Sequence, residues 1–261
     1  MTTLDRSTVT LAVIAKEPVP GRVKTRLCPP CTPEQAADIA LASLRDTFDA
    51  VDAAALRTAA GSAARASAER SGAVQPVVVL DGTPGDWIPD GFRVIAQRGD
   101  GLDERLAAAV SDVDGPVAII GMDTPQVTAA LIGQVVDALC ADGTDAVLGM
   151  ADDGGYWVIA LRERRPDALL GVPMSTDTTG AAQLQRLTEL GLRTTLVAPL
   201  CDVDTFDEAV AVSELVPGSR FARAVASVLA PAVAPESSRE PSSTQGATHS
   251  RSVGTGAEPR G

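Results

Sequence analysis

The sequence predicts an α/β fold on a mainly parallel sheet. Three observations carry that expectation. Short apolar runs alternate with helical patterns of similar or greater length, as βαβ units require. The runs are continuously apolar, as in a sheet covered on both faces. The chain has 261 residues, 45% of them hydrophobic, enough for one large core without disulfide staples.

Taken in order, residues 9–15 (VTLAVIA) read as a buried strand. Thr32 reads as a helix N-cap, followed by Pro33 and completed by Gln35 as a capping box. The helix it opens runs to about residue 50, with Ile39, Leu41, Leu44 and Phe48 on its apolar side. Residues 54–60 (ALRTAAG) are expected as a further strand. Strands follow at 77–80, 117–121, 146–149, 156–161 and 194–198. Helices are expected at 102–110, 129–139, 180–190, 206–215 and 221–229. The domain spans 1–230. Residues 231–261 are rich in Pro, Ser, Gly and Thr and hold almost no large apolar side chains, so a disordered tail is expected there.

Composition excludes several functions. No apolar run reaches 18 residues, so no membrane span is expected. The start does not read as a signal peptide, and four cysteines suit a reducing compartment, so the cytoplasm is expected. A net charge of −12 argues against nucleic acid as partner. The one histidine, His249, lies in the tail, which removes histidine triads and bases from the body. Cys28 and Cys31 have redox-pair spacing, but two small apolar residues in a Pro-rich turn describe them better than a thiol centre.

In open parallel sheets ligands sit beyond the carboxyl ends of the strands. After the first strand, Lys16, Arg22, Lys24 and Arg26 face only Glu17, a local charge of +3. Lys16 and Lys24 are the chain's two lysines. Pro18 and Pro20 stiffen this loop, and Gly21 allows close backbone approach. Such a loop suits a polyphosphate, although it is neither a P-loop nor a dinucleotide fingerprint; a solvated basic loop is the bland alternative. Asp123 follows the strand at 117–121, and Pro125 stops its pairing. Asp202 and Asp204 follow the last body strand and fall on one side if extended. Asp204 reads either as a metal carboxylate or as the cap of the helix at 206. Residues 152–157 (DDGGYW) hold the only tyrosine beside one of two tryptophans. They read equally as a hairpin turn with core aromatics or as an acceptor pocket.

Together AKEPVPGRVKTRL, QRGDGLDERL, GMDTP, DDGGYWVIAL and CDVDTFDEA resemble uncharacterised bacterial proteins of the GT-A type, in the nucleotide-diphospho-sugar transferase superfamily. The resemblance covers roughly residues 8–215, with a more distant likeness to phospholactate guanylyltransferase in the KTRL run. It implies a three-layer αβα sandwich with a Rossmann-like sheet. It further implies that Ala15, Lys16, Gly21, Arg22, Lys24, Thr25 and Arg26 bind the nucleotide phosphates. By the same likeness, Asp123 and Asp204 hold Mg²⁺ or Mn²⁺, and Asp153, Gly154, Gly155 and Tyr156 form the donor or acceptor pocket. Gln97, Gly99 and Arg105 fall on a QxxGxLxxR-like segment with no role assigned. Met174 stands where many relatives carry tryptophan, and the cysteine pair has no counterpart.

The expected activity is metal-dependent transfer from a nucleotide-activated donor to a small acceptor, with Lys24, Asp123 and Asp153 as catalytic residues. Glycosyl transfer leads, nucleotidyl transfer with release of pyrophosphate is the alternative, and a non-catalytic nucleotide-binding protein is the rival of another class.

Overall fold

The computed structural model describes residues 4–61 and 76–230; the tail expected to be disordered lies outside them. Seven strands form one sheet: β1 (Thr10–Lys16), β2 (Val77–Asp81), β3 (Arg93–Ala96), β4 (Val117–Gly121), β5 (Ala146–Ala151), β6 (Tyr156–Leu161) and β7 (Thr194–Leu200). Their spatial order is β3-β2-β1-β4-β6-β5-β7. β1 pairs in parallel with β2 and β4, β2 with β3, and β5 with β7. β6 alone runs against its neighbours β4 and β5, so the expected mainly parallel sheet is observed.

The described residues hold six α-helices: α1 (Pro33–Gly61), α2 (Leu102–Asp112), α3 (Ala129–Cys140), α4 (Thr179–Glu189), α5 (Phe206–Leu215) and α6 (Arg220–Leu229). The sheet's two-residue period sorts its side chains into two cores. Val13, Val78, Ile120, Val147 and Val158 pack on Leu44 and Phe48 of α1 and on Ile132 and Val136 of α3. The intervening Ala12, Val77, Val79, Ile119, Leu148 and Ile159 pack on Leu106 and Val110 of α2 and Leu187 of α4. Every strand named is therefore apolar on both faces, which is why it reads as an unbroken run.

Two expectations need correction. Residues 54–60 are helical and belong to α1, which continues to Gly61. The alanine-rich stretch carries high helix propensity, and Val51 and Ala54 stay on the buried face. β3 was not expected at all. It is a four-residue edge strand with most of its side chains exposed, so it lacks the apolar signal.

The start of α1 is as expected: Gln35 N–H donates to Thr32 Oγ1 at 3.2 Å, and Thr32 N–H donates to Gln35 Oε1 at 2.8 Å. A third cluster sits beside the sheet's carboxyl edge. There Leu27, Cys31 and Ile39 pack with Val203, Val212, Phe221 and Val225, joining the first loop and α1 to α5 and α6.

Candidate active site

Because six strands run the same way, the segments after β1, β4, β5 and β7 emerge at one edge of the sheet, where β6 begins. Three of them meet at Lys24. Its ammonium lies 2.5 Å from Asp123 Oδ1 and 3.6 Å from Asp204 Oδ1, and it donates to the Val203 carbonyl. Arg26 Nη1 reaches the other oxygen of Asp204 at 2.9 Å.

Local packing explains this convergence. Leu27 and Val203, one next to a basic pair member and the other between two aspartates, are both essentially buried in the third cluster. Val203 N–H donates to the Asp123 carbonyl at 2.9 Å, and the Gln126 amide donates to the Cys201 carbonyl. The Lys16 N–H reaches Met122 Sδ at 3.2 Å, tying the ends of β1 and β4. Lys24 itself holds a left-handed conformation (φ 47°, ψ 38°), which an L side chain adopts at a cost. Its side chain is only 8% exposed, against 75% for Arg26.

Asp204 does not cap α5. Thr205 does, in a complete capping box with Glu208, which leaves the Asp204 carboxylate for the two basic side chains. Asp202, Asp204 and Asp153 each place a carboxylate oxygen within 4.8 Å of the others. Burial, followed by the charges of Asp153 and Asp204, pushes the Asp202 carboxyl up to about 7. This group of hard oxygen donors, which Lys24 links to Asp123 through Asp204, fits Mg²⁺ or Mn²⁺ in its ligand chemistry. Sequence reasoning put Asp153 in a sugar or acceptor pocket; its place beside the two C-terminal aspartates follows from the pairing of β5 with β7, which the sequence does not display.

The 152–155 segment is a hairpin turn between β5 and β6. Asp153 Oδ1 accepts from Gly155 N–H at 2.7 Å, and Gly154 has φ +90°. A Cβ on Gly154 would overlap the Asp177 carbonyl, so only glycine fits. The Gly154 carbonyl accepts from Gly180 N–H at 2.8 Å, fixing the turn to the start of α4. The Tyr156 hydroxyl lies 3.3 Å from Gln183 Oε1, and burial pushes its phenol far up. Trp157 Nε1 donates to the Ala198 carbonyl at 3.0 Å.

The remaining loop residues are spread along the same edge. Lys16, Gly21, Arg22, Thr25 and Arg26 are exposed, and Ala15 is buried at 1% exposure. The Ala15 carbonyl accepts from Gln97 Nε2 at 2.9 Å, and the Val79 carbonyl accepts from the same amide at 3.0 Å. Arg105 braces this corner through Asp81 at 3.0 Å and the Gly99 carbonyl at 3.2 Å. The QxxGxLxxR-like segment therefore ties β1, β2 and α2 together. Cys31 lies in the third cluster, and burial, then Cys28, pushes its thiol up, the reverse of what a reactive thiol needs.

Residues 49–176 match the family described as "Uncharacterized protein conserved in bacteria (DUF2064)". No curated protein matches the chain in sequence. Among solved structures, the chain is similar to a candidate nucleotide-diphospho-sugar transferase of Desulfovibrio desulfuricans G20, with 22% identity and a TM-score of 0.68. That likeness covers 85% of this chain and 94% of the other, and it establishes the fold. Weaker likenesses reach a nucleotidyl transferase of Methanothermobacter thermautotroptrophicus (17% identity, TM-score 0.48, 83% of this chain and 98% of that one). They also reach a mannosyltransferase of Pyrobaculum calidifontis solved with GDP-Man and Mn²⁺ (12%, 0.46, 84% and 64%). These two carry no argument about the reaction. Among the described residues, no helix is long and apolar enough to cross a membrane.

Proposed function

We propose that the chain is a metal-dependent transferase acting on a nucleotide-activated donor, with glycosyl transfer as its reaction. One observation carries the reading: Lys24 from the first loop meets Asp123 and Asp204 from two other strand ends at one point. A basic group and paired acids at that edge suit a pyrophosphate bridged to a cation. Asp123 and Asp204 would hold Mg²⁺ or Mn²⁺, with Asp202 adjacent. The ion would neutralise phosphate charge as the leaving group departs.

The chain's own residues supply the rest. Lys16, Arg22 and Arg26 are exposed along the loop and would attract and orient the phosphates. Lys24 would stabilise charge on the departing phosphate as a compact point charge. Asp153 is the candidate base for an acceptor hydroxyl; one of its oxygens already serves Gly155, which fixes its orientation. Gly154, Gly155 and the Tyr156 backbone would shape the acceptor side.

The four bases of the loop also favour a second reading, since a triphosphate carries more charge than a sugar diphosphate. That reading is attack on an α-phosphate with release of pyrophosphate. Incubation with nucleotide sugars and with nucleoside triphosphates, each with Mg²⁺ or Mn²⁺, separates the two. A nucleoside diphosphate as product supports glycosyl transfer, pyrophosphate supports the alternative, and turnover of neither across both panels leaves only nucleotide binding.

A further inference from the structure

We propose that Lys24 is a tethered counter-ion: its ammonium stands where the divalent cation would act and must withdraw before Asp123 and Asp204 can take that cation. The inference rests on the metal-dependent reading above and adds a mode of control to it.

Three features carry it. An ammonium has three donors, and Lys24 faces three acceptors, Asp123, Asp204 and the Val203 carbonyl. Its side chain is 8% exposed, and lysine is seldom buried unless paired. Its left-handed backbone is a conformation that persists only where the surroundings hold it. Among the described residues no other lysine or arginine pairs with Asp123, so this ammonium alone offsets that carboxylate.

The consequence follows from charge. Two aspartates drawn to the same ammonium repel each other, and Lys24 offsets that repulsion when no metal is bound. A divalent ion arriving alone must expel a unit positive charge from the same oxygens. A donor's phosphates change the balance, because they give the ammonium a new anionic partner within reach of a flexible four-carbon stem. Metal and phosphate therefore favour each other's entry, and the coupling is reciprocal. Arginine would serve poorly here, since its planar fork is bulkier and spreads the charge.

The test uses the full chain and Mn²⁺ alone, by calorimetry, on wild type, Lys24→Met and Lys24→Gln. Both variants are expected to bind Mn²⁺ at least about tenfold more tightly than wild type, since the competing charge is gone. Equal or weaker binding by the variants overturns the tethered counter-ion while leaving the metal reading intact. No Mn²⁺ binding by any of the three overturns both. A second measurement needs no variant. Amine labelling of wild type, read by mass spectrometry, should show Lys24 protected without Mn²⁺ and several-fold more reactive at saturation, with exposed Lys16 as internal reference. Lys24 labelling unchanged while Mn²⁺ is bound contradicts the proposal.

Discussion

The backbone N–H of Val203 donates to the carbonyl of Asp123 at 2.9 Å, so the segments following β7 and β4 are joined at the residues that carry the site. Val203 also packs with Leu27 in the cluster beside the sheet edge. Apolar packing and this hydrogen bond thereby hold the acids and the basic loop together alongside the ion pairs of Lys24 and Arg26.

Leu27 is fully buried, three residues after Lys24. Leu27→Ala should lower stability by about 2–5 kcal/mol, the usual range for a large core deletion. Urea unfolding checks the stability. Because the loop loses its anchor, any nucleotide-dependent stabilisation should fall as well.

Thr205 and Asp204 compete as explanations for the start of α5. Thr205→Ala should lose about 0.5–2 kcal/mol, as loss of a capping side chain does. Asp204→Ala should affect stability less but abolish any metal-dependent ligand binding. Parallel thermal unfolding with and without Mn²⁺ distinguishes them, and the reverse ranking would restore Asp204 as the cap.

Gly154→Ala should be destabilising by about 1–3 kcal/mol or more, because a side chain at φ +90° meets the Asp177 carbonyl. The turn bearing Asp153 would shift with it. Denaturant midpoints measure the first effect and turnover of the donor the second.

Hydrogen bonds from Arg193 hold the Asp145 carboxyl down to about 2. A depressed carboxylate stabilises the fold above its unfolded value and loses that contribution as pH falls through its folded value. Wild type should therefore melt higher than Asp145→Asn at about pH 5 to 7, and the gap should close as pH drops toward about 2. A gap independent of pH would assign Asp145 a purely steric role.

Much of this fold is legible because its strands are buried on both faces. β4, β6 and α5 have the bounds that pattern alone predicts, and Thr32 with Gln35 marks the start of α1. β3 was hidden because an exposed edge strand needs no apolar run. Residues 54–60 at the end of α1 read as a strand because a short alanine-rich stretch has no decisive period. The strand-end rule pointed to Lys24, Asp123 and Asp204. Gln126, which ties the Asp123 segment to Cys201, carries no such signal, since its partner lies 75 residues away in sequence. Asp153 joined the acids for the same reason: register between β5 and β7 is a property of the assembled sheet.

Thermal unfolding of wild type and Asp123→Asn with nucleoside di- and triphosphates and nucleotide sugars, each with and without Mg²⁺ or Mn²⁺, shows whether nucleotide and divalent ion meet at Asp123. Ligand at 100 times its Kd adds about 2.7 kcal/mol of stability. At least one nucleotide should stabilise wild type only when the divalent ion is present, and Asp123→Asn should lose the shift. Stabilisation indifferent to metal and to Asp123, or none from any nucleotide, would contradict a metal-dependent nucleotide site.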